Sequence, residues 1–223
     1  GVVAMSSLTQ PPIQISCEVV SNRKVGAYHH LTLAAPGIAE NVRPGNFVAI
    51  NVGYSKSSML LRRSFAIYQS TSRGPFGGTI EIIVAPHGSG STWIAQRPVH
   101  EKLNVVGPLG NAFKIPKDPV RALLVGGGYG SAPLFGLAEV LKSRGCRVVM
   151  ALGASTAAKI YAPLEGKRAA TLLKIFTEDG SAGEQGRVTD SIHELISEYD
   201  VRVIYSCGPM PMLEALSQIA VQS

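Results

Sequence analysis

The sequence predicts an antiparallel β-barrel followed by a doubly wound α/β domain. Three observations predict it. The first half carries short apolar–polar alternating segments at roughly ten-residue spacing. The second half alternates apolar runs with segments of helical periodicity. A glycine loop separates the first such run from the first such helix, where open parallel sheets carry one. The chain has 223 residues, 45% hydrophobic and 16% charged. It can bury a substantial core, and intrinsic disorder, which needs the opposite balance, is excluded.

Ile13-Gln14-Ile15-Ser16-Cys17-Glu18-Val19 alternates apolar and polar, the signature of a half-buried strand. Strands over residues 28–33, 47–52, 64–68 and 79–84 follow, separated by Pro-Gly, Gly-Gly and Ser-rich turns. A short helix is expected near Ser91, after Gly88-Ser89-Gly90. The stretch from Lys114 to Pro119 is proline-flanked and marks the boundary. It gives a barrel domain over 1–116 and an α/β domain over 117–223.

Arg121-Ala122-Leu123-Leu124-Val125 reads as a buried strand. Gly126-Gly127-Gly128-Tyr129-Gly130 follows as a turn. From Ser131 to Arg144, Leu134, Leu137, Ala138 and Leu141 share one helical face. Strands are expected over 146–152, 171–177 and 201–207, with helices over 189–198 and 210–221.

Charge and cysteine content narrow the function classes. The formal net charge is +6. Ten basic and four acidic residues precede the boundary and eleven of each follow it, so the excess belongs to the first half. No Lys/Arg run exceeds two residues, which argues against a nucleic-acid-binding module. No apolar stretch is long enough for a transmembrane helix, and the N-terminus lacks the grammar of a signal peptide. Cys17, Cys146 and Cys207 form no disulfide framework and no metal knuckle, so a cytoplasmic location is expected. The five histidines show no ligand spacing.

Four segments carry candidate chemistry. The glycine loop Gly126–Gly130 opens a helix, so its bare backbone and the helix N-terminus suit a phosphate. The same glycines also read as a tight strand-to-helix turn. The loop is neither a P-loop nor an ordinary dinucleotide fingerprint, and the next strand ends in Ala151-Leu152-Gly153-Ala154-Ser155, without an acid to hold a ribose. Arg62-Arg63 enters a strand inside an apolar stretch, where an arginine fork could bind phosphate or simply face water. His87-Gly88-Ser89-Gly90-Ser91-Thr92 is a second anion cradle or a plain helix cap. Ser206-Cys207-Gly208-Pro209 ends a parallel strand, at the edge where open sheets bind ligands.

In this order the segments resemble the ferredoxin–NADP reductase superfamily, whose members join an FAD-binding barrel to a nicotinamide-binding α/β domain. The match runs from Pro44-Gly45-Asn46-Phe47-Val48 to Cys207-Gly208-Pro209. Three segments point to one branch: Arg62-Arg63-x-Phe65, Gly107-Pro108-Leu109-Gly110-Asn111-x-Phe113 and Thr177-Glu178-Asp179-Gly180-Ser181-x-Gly183. They look like the electron-transfer subunits of NAD-dependent dihydroorotate dehydrogenase, an enzyme of pyrimidine biosynthesis.

The resemblance implies an FAD-containing NAD(H) oxidoreductase. By similarity, Arg63 would bind the FAD pyrophosphate, Ser64 beside it would belong to the cofactor-binding segment, and Phe65, Ala66 and Ile67 would line the isoalloxazine. Ala66 departs from the usual Ser or Thr, whose hydroxyl hydrogen-bonds near flavin N5. Gly88, Gly90, Ser91 and Thr92 would hold the far side of the pyrophosphate. Gly127, Gly128 and Gly130 would cradle NAD phosphates. Cys207 and Gly208 would sit by the nicotinamide, Cys207 in the catalytic position. Neutral Ser155 stands where NADP-using relatives often carry Arg and favours NAD, with Lys159 close by in sequence. The implied partner is an FMN-containing catalytic subunit, in a heterotetramer. A free-standing NAD(P)H-dependent flavin or ferredoxin reductase is the alternative. The branch also carries a C-terminal four-cysteine module holding a [2Fe–2S] cluster. That module is absent from the sequence, which stops at Ser223, so the cluster is expected only if a tail exists beyond it. The abrupt ending favours a missing tail.

Overall fold

The computed structural model describes residues 10–53 and 62–208. The helix expected over 210–221 lies outside them.

Six antiparallel strands close a barrel: β1 (Ile13–Val25), β2 (Tyr28–Ala34), β3 (Phe47–Ile50), β4 (Arg63–Thr71), β5 (Thr79–Val84) and β6 (Lys102–Leu109), in the order β1-β2-β5-β4-β3-β6. The period-2 pattern explains the closure. Cys17, Val19, Leu31, Leu33, Ile50, Ile80, Ile82 and Leu103 all turn inward and are buried. β1 is long enough to serve two neighbours. Its first half pairs with β6 and its second with β2, with a register shift between Val19 and Ser21. A short helix, α1 (Ser89–Ala95), packs against the barrel through Ile94.

The remaining strands are β7 (Arg121–Gly127), β8 (Arg147–Ala154), β9 (Leu172–Thr177), β10 (Glu184–Gln185) and β11 (Val203–Cys207). They form a parallel sheet ordered β10-β9-β8-β7-β11. Both faces are covered, which is why β7 reads as a continuous apolar run. Ala122 and Leu124 face the core beneath α2 (Ala132–Ser143), while Leu123 and Val125 face that beneath α4 (Ile192–Tyr199). Leu134, Leu137, Ala138 and Leu141, the predicted face of α2, are all fully buried. No helix among the described residues is long and apolar enough to cross a membrane.

Three elements go beyond the sequence reading: β6, α3 (Pro163–Ala169) and β10. β6 contains Gly107-Pro108 just before its last residue, Leu109, and that pair signals a turn. α3 has seven residues, with a glycine inside it and Leu164 65% exposed, so it shows no apolar face. β10 is a two-residue edge strand.

The core beneath α2 continues into the barrel. Tyr28, Tyr68 and Ile83 join Phe135 and Tyr161 in one buried cluster. Tyr68 meets Phe135 edge-on at 5.6 Å between ring centroids and Tyr161 likewise at 5.6 Å. Tyr28 donates a hydrogen bond to the Lys159 carbonyl at 2.7 Å. This shared core seats the glycine loop of the sheet beside the outer wall of the barrel.

Candidate functional site

A cleft of about 500 Å³ lies where the barrel meets the glycine loop. Arg63, Ser64, Phe65 and Ala66 line one wall, Gly88, Gly90 and Ser91 a second, and Tyr129 and Gly130 a third. Both faces of β4 contribute at its start, Arg63 and Phe65 from one and Ser64 and Ala66 from the other. In β4, Phe65 and Ile67 turn into the barrel core, so Ser64 and Ala66 turn outward. Ile67, expected on the wall, is 5% exposed inside the barrel and does not line the cleft.

The arginine pair splits. Arg62 donates to Asn104 Oδ1 at 2.6 Å, and its other nitrogen reaches the Asn104 and Ala49 carbonyls. It ties β3 to β6 and is a structural residue. Arg63 lies instead against α1: a Cβ on Gly90 would stand 2.9 Å from Arg63 Nε. Among the described residues no carboxylate pairs with Arg63. An unpaired guanidinium beside the start of a helix, with glycine in place of a side chain, is a cradle for an anion.

Ser91 is spent on the loop. Its Oγ accepts the backbone N–H of His87 and of Gly88, each at 3.1 Å. The hydroxyl is thus an internal brace, and the first-turn backbone N–H groups are what this helix offers a ligand. Thr92 donates its own N–H to the Gly88 carbonyl and does not line the cleft.

A second cavity, about 480 Å³, sits at the carboxyl edge of the parallel sheet. Its wall includes Gly127 and Gly128 after β7, Gly153 to Ser155 after β8, Glu178 after β9, and Lys159 and Arg187. One residue lines both cavities: Tyr129, 45% exposed, in the turn from Gly128 to Ser131. Its ring stands 6.0 Å from that of Tyr28 and 6.4 Å from that of His87. Tyr129, Glu178 and Arg187 were not anticipated as site residues. Tyr129 and Glu178 stand inside segments the sequence singles out, but their place on the cavity walls is set by the topology, which brings the strand ends together.

Cys207 ends β11 opposite Gly126. It lines neither cavity, and burial pushes its thiol up to about 12. It is therefore a protonated thiol at neutral pH, suited to contact and not to nucleophilic attack. Gly208 backs the glycine loop: a Cβ on Gly130 would stand 2.9 Å from Gly208 Cα. Of the expected residues, the fold gathers Arg63, Ser64, Phe65, Ala66, Gly88, Gly90, Ser91 and Gly130 on one cleft, and Gly127 and Gly128 on the adjoining cavity.

Residues 124–218 match the oxidoreductase NAD-binding domain family. The chain is 40% identical over 192 residues to the dihydroorotate dehydrogenase B (NAD(+)) electron transfer subunit of Bacillus caldolyticus, covering 85% of this chain and 72% of that one. It is 38% identical over 203 residues to the subunit of the same name from Geobacillus thermodenitrificans, covering 90% and 76%. Among solved structures, it is similar to an NADH-dependent reduced ferredoxin–NADP oxidoreductase at a TM-score of 0.78 and 27% identity, covering 92% of this chain and 72% of that one. The ferredoxin reductase of carbazole 1,9a-dioxygenase shares the fold at a TM-score of 0.77 and 21% identity, covering 95% and 66%.

Proposed function

The chain belongs to the family of dihydroorotate dehydrogenase B (NAD(+)) electron transfer subunits, and from this we propose that it carries electrons between a catalytic partner subunit and NAD through a bound FAD. The observation that carries the proposal is the adjacency of the two cavities, joined at Tyr129. We assign residues 1–116 to FAD and 117–223 to NAD.

The residues fit the flavin. Arg63 would neutralise its pyrophosphate, and Gly90 leaves the space that a Cβ would fill. Ser64 and Ala66, turned outward from β4, would flank the ring system. Bound there, FAD supplies two-electron chemistry with a nicotinamide and single-electron exchange with another carrier. The protein positions, and no acid–base dyad is needed. Gly127 and Gly128 would admit dinucleotide phosphates to the second cavity, and Gly130 with Gly208 lets the loop approach the end of β11. Cys207 lines neither cavity, so its expected place beside the nicotinamide would rest on its position at the end of β11, behind the glycine loop.

The relatives' name implies a catalytic partner, which we take to be an FMN-containing dihydroorotate dehydrogenase subunit, in the cytoplasm. A [2Fe–2S] cluster has no seat among the described residues: Cys17 and Cys146 lie in separate cores and Cys207 at a strand end. Its place would be a tail beyond Ser223. The test is co-expression with the partner followed by purification. A stable complex holding both FAD and FMN supports the proposal. A chain that binds FAD but never retains the partner favours the free-standing reductase.

A further inference from the structure

The second cavity holds a charge arrangement that the glycine loop does not account for. Glu178 Oε1 lies 3.7 Å from Arg187 Nε, and Lys159 and Ser155 line the same wall. The Glu178 and Arg187 side chains are 53% and 71% exposed, so both can reach a ligand. The loop between them is braced. Asp179 Oδ1 accepts the N–H and the hydroxyl of Ser181 at 3.0 and 2.6 Å. Those bonds hold the Asp179 carboxyl below its ordinary range. Ser181 Oγ in turn accepts the Ala157 N–H at 2.8 Å. Asp179 is thus consumed by the loop, and Glu178 is the carboxylate left to the cavity.

Topology tells the two ends of this cavity apart. β7 ends beside Tyr129 and the flavin cleft, while β9 lies two strands away in the order β9-β8-β7, about 10 Å at the usual strand spacing. The reacting end of a dinucleotide belongs at Tyr129, so its adenosine end belongs at Glu178. The ribose acid of a doubly wound sheet usually follows the second strand. Here β8 ends without one, and Val188 packs against Gly153 so closely that a Cβ there would stand 2.8 Å from Val188 Cγ1. That packing brings Arg187 over the end of β8, facing the carboxylate from β9.

Resting on the assignment of this cavity to the dinucleotide, we propose that Glu178 selects the unphosphorylated form. Its carboxylate accepts the adenosine ribose hydroxyls and repels a 2′-phosphate. By pairing with Arg187 it also withdraws one of the two cations, Arg187 and Lys159, that such a phosphate would use.

The test compares binding of NADH and NADPH, with 5′-AMP and 2′-AMP as fragment probes, by calorimetry on the FAD-loaded chain. Wild type is expected to prefer NADH by roughly tenfold or more, the scale of one charge contact. Glu178→Gln narrows the ratio by roughly tenfold, mainly by tightening NADPH and 2′-AMP. Adding Arg187→Ala to that variant reverses the gain. An NADH/NADPH ratio in a folded Glu178→Gln protein within about twofold of wild type overturns this inference alone, the change then being well short of one charge contact. A wild-type protein that binds neither nucleotide overturns the cavity assignment with it.

Discussion

Arg62 and Arg63 are adjacent and chemically identical, yet the strand sends them to different tasks. Arg62 closes the barrel through Asn104, whereas Arg63 faces the cleft beside Gly90. Arg63→Ala should therefore weaken FAD binding by about 10- to 100-fold, the worth of a charge-assisted contact at about 1.5–3 kcal/mol, with little change in the unfolding midpoint of the apoprotein. Arg62→Ala should do the reverse, lowering the midpoint and leaving the affinity of the folded fraction nearly intact. Titration of apoprotein with FAD, paired with thermal unfolding, separates the two. The fully buried Cys17 gives a pH prediction. Burial pushes its thiol from the ordinary 9.0 up to about 12. The unfolded chain then loses this proton near pH 9 while the folded chain keeps it, so stability declines as pH rises from about 9 to about 12. Cys17→Ala should flatten that decline in alkaline denaturation curves. From sequence, the arginine pair was visible as a motif, but its division was not. What divides the pair is the neighbour each guanidinium meets, Asn104 of β6 for Arg62 and Gly90 of α1 for Arg63, and only the folded chain brings those neighbours alongside β4.

At the scale of elements, the long periodic segments were legible and the short ones were not. α2 announced its buried face through Leu134, Leu137, Ala138 and Leu141 because a three-turn amphipathic helix repeats its signal. α3 and β10 have no such repetition, and their place is set by packing beside β9. Leu137→Ala should cost about 2–5 kcal/mol in urea unfolding, as a large-to-small change in a packed core. A loss below about 1 kcal/mol would mean that α2 does not pack against the sheet as described. The site follows the same rule. The glycine loop and the Gly88–Ser91 turn were readable because unusual residues mark them, whereas Glu178 and Arg187 become site residues only when β8 and β9 lie side by side.

The whole molecule depends on a core shared between its two halves. Tyr28, Tyr68 and Ile83 from the barrel pack with Phe135 and Tyr161, so the halves should unfold together. Trp93, the single tryptophan, reports on the barrel, and far-ultraviolet dichroism reports mainly on the helices of the sheet domain. Coincident transitions are expected, and Phe135→Ala should lower both. Transitions that separate in wild type would contradict the shared core. The same core holds the flavin cleft against the dinucleotide cavity, with Tyr129 between them, and that adjacency is the central claim. Its most direct test is anaerobic mixing of the FAD-loaded chain with NADH while the visible flavin absorbance is followed. The account predicts that the chain holds one FAD and that NADH bleaches it. A folded chain that retains no FAD, or that holds FAD which NADH leaves oxidised, would contradict it.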